Sequence, residues 1–221
     1  MSHLVRQLIA ARRGLVYCRR GLRVPRAVSL TFDDGPSEWT EPILDVLAEG
    51  DARATFFVLG CSIAGREHIL RRSVEEGNEL GNHAFSHVDP ATLPDEQLRA
   101  ELARTTALIE EAAGVRTRLF RPPYAEAEVR VARVARSVGL APTVLRSVDP
   151  ADWREPDAEA ITRHVLDVVA AGAIVCLHDG VSPAERDRAA SRQPTVEALR
   201  RLVPELTSRG YALVTVSELL A

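Results

Sequence analysis

The sequence predicts an α/β fold with a parallel sheet, and three observations carry the prediction. From residue 27 onward, short β-branched or aromatic runs alternate with longer helical patterns, the order expected of strand–helix units. Gly50, Gly77, Gly114, Gly139, Gly172 and Gly210 stand where helical patterns stop, as they would if the backbone turns left-handed to leave a helix. A length of 221 residues suits one large α/β domain with a core of its own.

In chain order, the first strand is 27–33 (AVSLTFD), followed by a helix over 41–49 that Gly50 closes. Strand 54–59 (ATFFVL) leads to a helix over 65–76 before Gly77, and strand 79–84 (ELGNHA) leads to a long helix over 95–113. In that helix Leu98, Leu102, Thr105, Leu108, Ile109 and Ala112 recur at helical spacing, while Glu96, Arg99, Glu101 and Arg104 take other faces. That apolar stripe reads as core. Strands at 118–121 (RLFR) and 142–148 (PTVLRSV) flank a helix over 126–138, and a helix over 157–171 precedes strand 173–178 (AIVCLH). A helix over 194–208 and a strand at 211–216 (YALVTV) end the series, giving about seven strands. With no repeat or linker dividing the chain, 27–221 is expected to be one domain and 1–26 a helical or partly ordered lead-in. The longest polar connection, 179–193, has the length of a lid or binding edge and equally of a solvated loop.

Composition excludes several function classes. All 28 basic residues are arginine, which rules out a Schiff-base lysine, a pyridoxal phosphate anchor and a P-loop lysine. Net charge is −3, with arginines and acids interspersed, so there is no basic stripe for nucleic acid. No apolar stretch is long enough to span a membrane. The uncharged runs near the N-terminus (LIA, GLVYC) fall short of a signal-peptide core of about 7 to 15 residues, and the cytoplasm is the expected location. Cys18, Cys61 and Cys176 are widely separated and lack CxxC spacing, which favours buried thiols over a disulfide framework or a zinc knuckle.

In parallel α/β folds, ligands sit at the C-terminal ends of strands. Asp33 and Asp34 follow the first strand, His83 and His87 the third, Arg121 and Tyr124 the fourth, Asp149, Asp152 and Trp153 the fifth, and His178 and Asp179 the sixth. Adjacent aspartates such as Asp33 and Asp34 are commonly plain turn formers. In an extended segment, however, neighbouring side chains diverge, so one can hold an ion while the other faces a ligand. HAFSH at 83–87 places two imidazoles four apart, but Ala84 stands where a HExxH protease has its glutamate, and GNELGN before it is a poor helix. Two neutral imidazoles and a carboxylate from the first strand end would leave positions for water and substrate, as in a catalytic zinc site. A dication would also offset the repulsion between the two aspartates.

TFDDG at 31–35, HAFSH at 83–87, RPPY at 121–124, DPADW at 149–153 and LHD at 177–179 resemble, in that order, the five motifs of the NodB-like polysaccharide deacetylases, carbohydrate esterase family 4. The resemblance covers about residues 27 to 220. It implies a distorted (β/α) barrel with fewer than eight strands, in agreement with the seven counted above. It also implies one divalent metal, zinc first, with cobalt, nickel or manganese suited to the same ligands. Asp34, His83 and His87 would ligate it, Asp33 would be the general base and His178 the general acid. Arg121 would hold the base carboxylate, Asp152 would orient His178, Trp153 and Leu177 would wall the acetyl methyl, and the backbone N–H of Tyr124 would serve the oxyanion.

The activity so implied is metal-dependent N-deacetylation of an N-acetylated amino sugar, either an oligosaccharide or a glycosylated small molecule. Action on a small non-sugar amide, an imide or an O-acetyl ester stays open, as does a non-enzymatic carbohydrate-binding role. Ala125 after RPPY and Ala84 after the first ligand histidine depart from the family's common residues. Both bear on loop shape and substrate preference rather than on reaction type.

Overall fold

The computed structural model describes residues 15–16, 26–125, 128–183 and 191–221. Its strands are β1 (Leu15–Val16), β2 (Ala27–Asp33), β3 (Ala54–Val58), β4 (Glu79–Asn82), β5 (Thr143–Val144), β6 (Ile174–His178) and β7 (Ala212–Leu213). The helices are α1 (Thr40–Glu49), α2 (Glu67–Glu75), α3 (Asp95–Ala113), α4 (Val129–Ser137), α5 (Ala158–Val168), α6 (Gln193–Ser208) and α7 (Val216–Leu220). Apart from Leu15–Val16 and Arg26, the lead-in expected over 1–26 lies outside the described residues, as do 184–190 of the long polar connection.

Every strand pairing is parallel. β2 lies between β3 and β6, β4 continues beyond β3, β7 pairs with the start of β2, and β1 pairs with β5. Single-residue bridges Asn82–Phe120, Phe120–Thr143 and Val148–Val175 carry the pairing from β4 round to β6. The circle therefore closes as a distorted barrel, part of it built from isolated bridges rather than ladders. That is why the strands expected over 118–121 and 142–148 shrink to Phe120 and Thr143–Val144.

β2 is buried along its whole length, as a parallel strand covered on both faces requires. Leu30, Phe32, Ile43, Leu44, Leu47, Leu199 and Leu202 belong to the main core, where α1 and α6 cover the β2 side of the barrel. The α3 stripe is as expected: Leu98, Leu102, Thr105, Ile109 and Ala112 are buried, and the helix ends at Gly114 with φ 69°. Gly50 differs. Its φ is −96°, and the left-handed residue comes one position later, at Asp51 with φ 48°, where the side chain tolerates that conformation. The strand expected over 211–216 stops at Leu213 because Thr215 and Glu218 form a capping box that starts α7.

Register positions the rim. Asp33 pairs with Phe57 and with His178, and Val58 pairs with Asn82, so β2, β3, β4 and β6 end at one level. The residues just beyond those ends face each other across the mouth of the barrel.

Candidate active site and metal centre

Asp33, Asp34, His83, His87, Arg121, Tyr124, Trp153 and His178 line one cavity of about 280 Å³. Five of the seven non-glycine residues with positive φ among those described, namely Asp34, Ala84, His87, Tyr124 and Ala151, lie on this rim. Backbone of this kind costs free energy and persists where surrounding contacts impose it. The contacts are visible for HAFSH, which is a loop rather than a helix. Glu101 of α3 accepts from Phe85 N, Ser86 N and Ser86 Oγ, and the Asn82 side chain ties Ala84 N to Leu102 O and Thr106 Oγ1.

His83 is 3% exposed, and burial holds its ring below the usual imidazole range, so the ring is neutral with a single proton. Its Nδ1 lies 2.7 Å from Arg121 O. A carbonyl only accepts, so that proton sits on Nδ1 and the Nε2 lone pair faces inward. His83 Nε2 lies 3.5 Å from Asp34 Oδ1, and His87 Nε2 lies 3.3 Å from the same oxygen. On His83, then, a lone pair faces a carboxylate oxygen with no proton to share. That donor set fits a divalent cation, and the ligand atoms of Asp34, His83 and His87 all lie within 4.8 Å of one another.

Beside this set, Asp33 Oδ1 accepts from Arg121 Nη1 at 2.7 Å. The Arg121 guanidinium is 1% exposed, donates also to Thr31 Oγ1 at 2.7 Å, and lies 4.1 Å from the Phe57 ring centroid. Burial opposes charge on Asp33, but Arg121, with His83 and His178, outweighs it and holds the carboxyl below its usual value. His178 shows the opposite balance. Burial disfavours the imidazolium, yet the charge and hydrogen bond of Asp152, with Asp34 and Asp33 beyond, push it up to about 9. Asp152 Oδ1 meets His178 Nδ1 at 2.8 Å, while Asp152 Oδ2 accepts from His178 N and Thr195 Oγ1. The cavity thus joins an ionised carboxylate to a protonated imidazole.

Most of the expected site residues come together here, with Asp152 directly behind His178. Tyr124 is 56% exposed with its ring against that of His87, and Trp153 is 37% exposed at the rim. Leu177 is a correction. It is wholly buried in the main core and does not line the cavity, because side chains alternate along β6 and the cavity face carries Cys176 and His178. Five cavity residues carried no assigned role: Pro122, Cys176, Asp149, Ser182 and Arg146, the last paired with Asp149 at 2.5 Å. The phase of the β6 alternation, with His178 as anchor, would have pointed to Cys176.

The chain matches the family model described as polysaccharide deacetylase over residues 22–143. It is 40% identical over 203 residues to a chitooligosaccharide deacetylase from Bradyrhizobium sp. (strain ANU 289), covering 88% of this chain and 90% of that protein. The chain belongs to the polysaccharide deacetylase family. Among solved structures, this family member is similar to the peptidoglycan deacetylase PdaC from Bacillus subtilis, with a TM-score of 0.77 and 33% identity over 88% of this chain and 89% of that one. It is also similar to BA3943, a CE4 family pseudoenzyme from Bacillus anthracis, with a TM-score of 0.81 and 28% identity over 93% and 68% of the two chains. The barrel alone therefore does not decide activity in the family. Among the described residues, no helix is long and apolar enough to cross a membrane.

Proposed function

We propose that this chain is a metal-dependent deacetylase that hydrolyses the acetamide of N-acetylglucosamine units in an oligosaccharide. The observation that supports it best is the complete constellation in one cavity: the Asp34–His83–His87 donor set flanked by Asp33 on one side and His178 on the other. The chitooligosaccharide and peptidoglycan deacetylases to which the chain is similar supply the substrate class.

Asp34, His83 and His87 would hold the cation, which when bound makes an adjacent water more acidic and draws charge from the amide oxygen. Asp33, ionised and fixed by Arg121, takes the proton of the attacking water. The short Arg121 contact keeps the carboxylate from turning away, and Thr31 and Phe57 hold the guanidinium in turn. His178, charged at neutral pH and anchored by Asp152, returns a proton to the leaving amine, which departs as the free amino sugar with acetate as the other product. The half-exposed Trp153 and Tyr124 rings offer apolar faces to a sugar at the cavity mouth.

Acetate release from N-acetylglucosamine oligomers by the metal-loaded chain is the test, with a cyclic imide and an O-acetyl ester alongside. Turnover of the oligomers above both comparison substrates is expected. Hydrolysis of the imide alone, or sugar binding without acetate release, would replace this reading.

A further inference from the structure

A second set of donors adjoins the first. Asp33, Cys176 and His178 each offer one ligand atom, and these atoms all lie within 4.8 Å of one another. The fold dictates the grouping. Asp33 and His178 are register partners on β2 and β6, and Cys176, two residues before His178, shares its face of the strand. Cys176 Sγ lies 3.5 Å from Asp33 Oδ2. His178 Nδ1 is engaged by Asp152 at 2.8 Å, so Nε2 is the nitrogen left to ligate. A carboxylate behind a ligating histidine also strengthens it as a donor.

We propose that Asp33, Cys176 and His178 form a second cation site, selective for thiophilic dications such as Zn²⁺ or Cd²⁺, whose filling stops catalysis. Sulfur separates this set from the Asp34–His83–His87 set, which has only oxygen and nitrogen donors, and sulfur favours soft ions. Binding expels the thiol proton of Cys176 and the ring proton of His178 to solvent, leaving thiolate and neutral imidazole on the ion. Arg121 opposes the ion, since its Nη1 lies 2.7 Å from Asp33 Oδ1 and 3.9 Å from Cys176 Sγ. A cation in the first set opposes it as well, because Asp33 Oδ2 is only 3.9 Å from His83 Nε2. Two anionic donors with Asp152 behind them outweigh Arg121 in charge, yet the neighbouring dication makes this the weaker site, filled only in excess. The inhibitory consequence rests on the roles proposed above, because the same ion would occupy both the base and the acid. The cation site itself does not.

The test starts from metal-stripped full-length protein carrying Cys18→Ser and Cys61→Ser, so that Cys176 is the one thiol left. Titration with Co²⁺ is expected to give d–d bands without sulfur charge transfer at the first equivalent and a thiolate-to-metal band in the near-ultraviolet at the second. Cys176→Ser, or Cys176→Ala should the serine form misfold by circular dichroism, is expected to lose that band while keeping the first equivalent. With acetate release as readout, half-inhibition by added Cd²⁺ is expected to need about 10-fold more ion in the Cys176 variant, the equivalent of about 1.4 kcal/mol of ion affinity. A missing second-equivalent band, a band that survives the Cys176 substitution, or equal inhibition of both proteins would each overturn the proposal. If no acetylated substrate is turned over, the proposed deacetylase reading and the inhibitory role fall, while the band still decides whether the cation site exists.

Discussion

Asp179 → Asn should make the metal-free protein more stable at neutral to alkaline pH. Asp179 is 1% exposed and follows His178 beneath the Asp33–Asp34 turn, where Oδ1 accepts from Gly35 N at 3.1 Å and Oδ2 from Thr40 Oγ1 at 2.7 Å. Burial is the main influence. It is checked by the Thr40 hydrogen bond, reinforced by the charge of Asp33, and raises the carboxyl from 3.8 to about 7. That gap corresponds to about 4 kcal/mol at about 1.36 kcal/mol per pH unit. The folded chain keeps this proton at pH values where the unfolded chain has lost it, so folded protein binds more protons between about 4 and about 7. Stability from this group is therefore full below about pH 4, falls as pH rises, and is lost above about pH 7. Asparagine stays neutral throughout, its oxygen can accept from Gly35 N, and its amide can donate to Thr40 Oγ1. Urea unfolding in EDTA should find wild type and variant close at about pH 4 and the variant ahead by up to about 4 kcal/mol at about pH 8. A variant less stable at the higher pH, or a difference that does not change with pH, would refute the assignment of a raised Asp179.

Three further outcomes are expected. Asp33→Asn should lower acetate release by about 10²- to 10⁴-fold while the first equivalent of cation still binds, as a calorimetric titration would show. Asp152→Asn removes the charge that holds His178 up near 9, so the alkaline limb of the rate profile should move to lower pH, because the acid must be protonated to act. An unmoved limb would mean that another group supplies the proton. Gly180→Ala would place a Cβ 2.2 Å from Asp34 O and 2.7 Å from Gly35 N, both backbone atoms that cannot step aside. A loss of more than about 3 kcal/mol, or failure to fold, should appear in thermal unfolding.

Reading the site from sequence worked where chemistry is carried by local order. TFDDG, HAFSH, RPPY and DPADW each place polar residues within a few positions of a strand end, and parallel register then brings those ends to one rim. It failed where the answer depends on contacts between segments far apart in the chain. Glu101 lies on the polar side of a helix more than a dozen residues from the loop whose amides it binds, and nothing in its own surroundings marks it. The assignment of Leu177 fails for a nearer reason, since with His178 on the cavity face the alternation along β6 already puts Cys176 beside it and turns Leu177 into the core.

Sequence by itself determined the strand–helix alternation, the extent of α3, the helix stops at Gly77, Gly114, Gly139 and Gly210, and the grouping of acids, histidines and Arg121 at strand ends. These follow from side-chain periodicity and backbone freedom, which act over a few residues. Gly172, with φ 82°, instead turns the chain into β6 after α5 has already ended at Val168. Tertiary structure alone decided that the barrel closes through single bridges at Phe120, Thr143 and Val148, that α7 replaces the end of the last expected strand, and that Cys176 stands against Asp33. Those outcomes depend on which distant segments satisfy one another's backbone groups and fill one another's space, and the pattern of one segment does not contain that information.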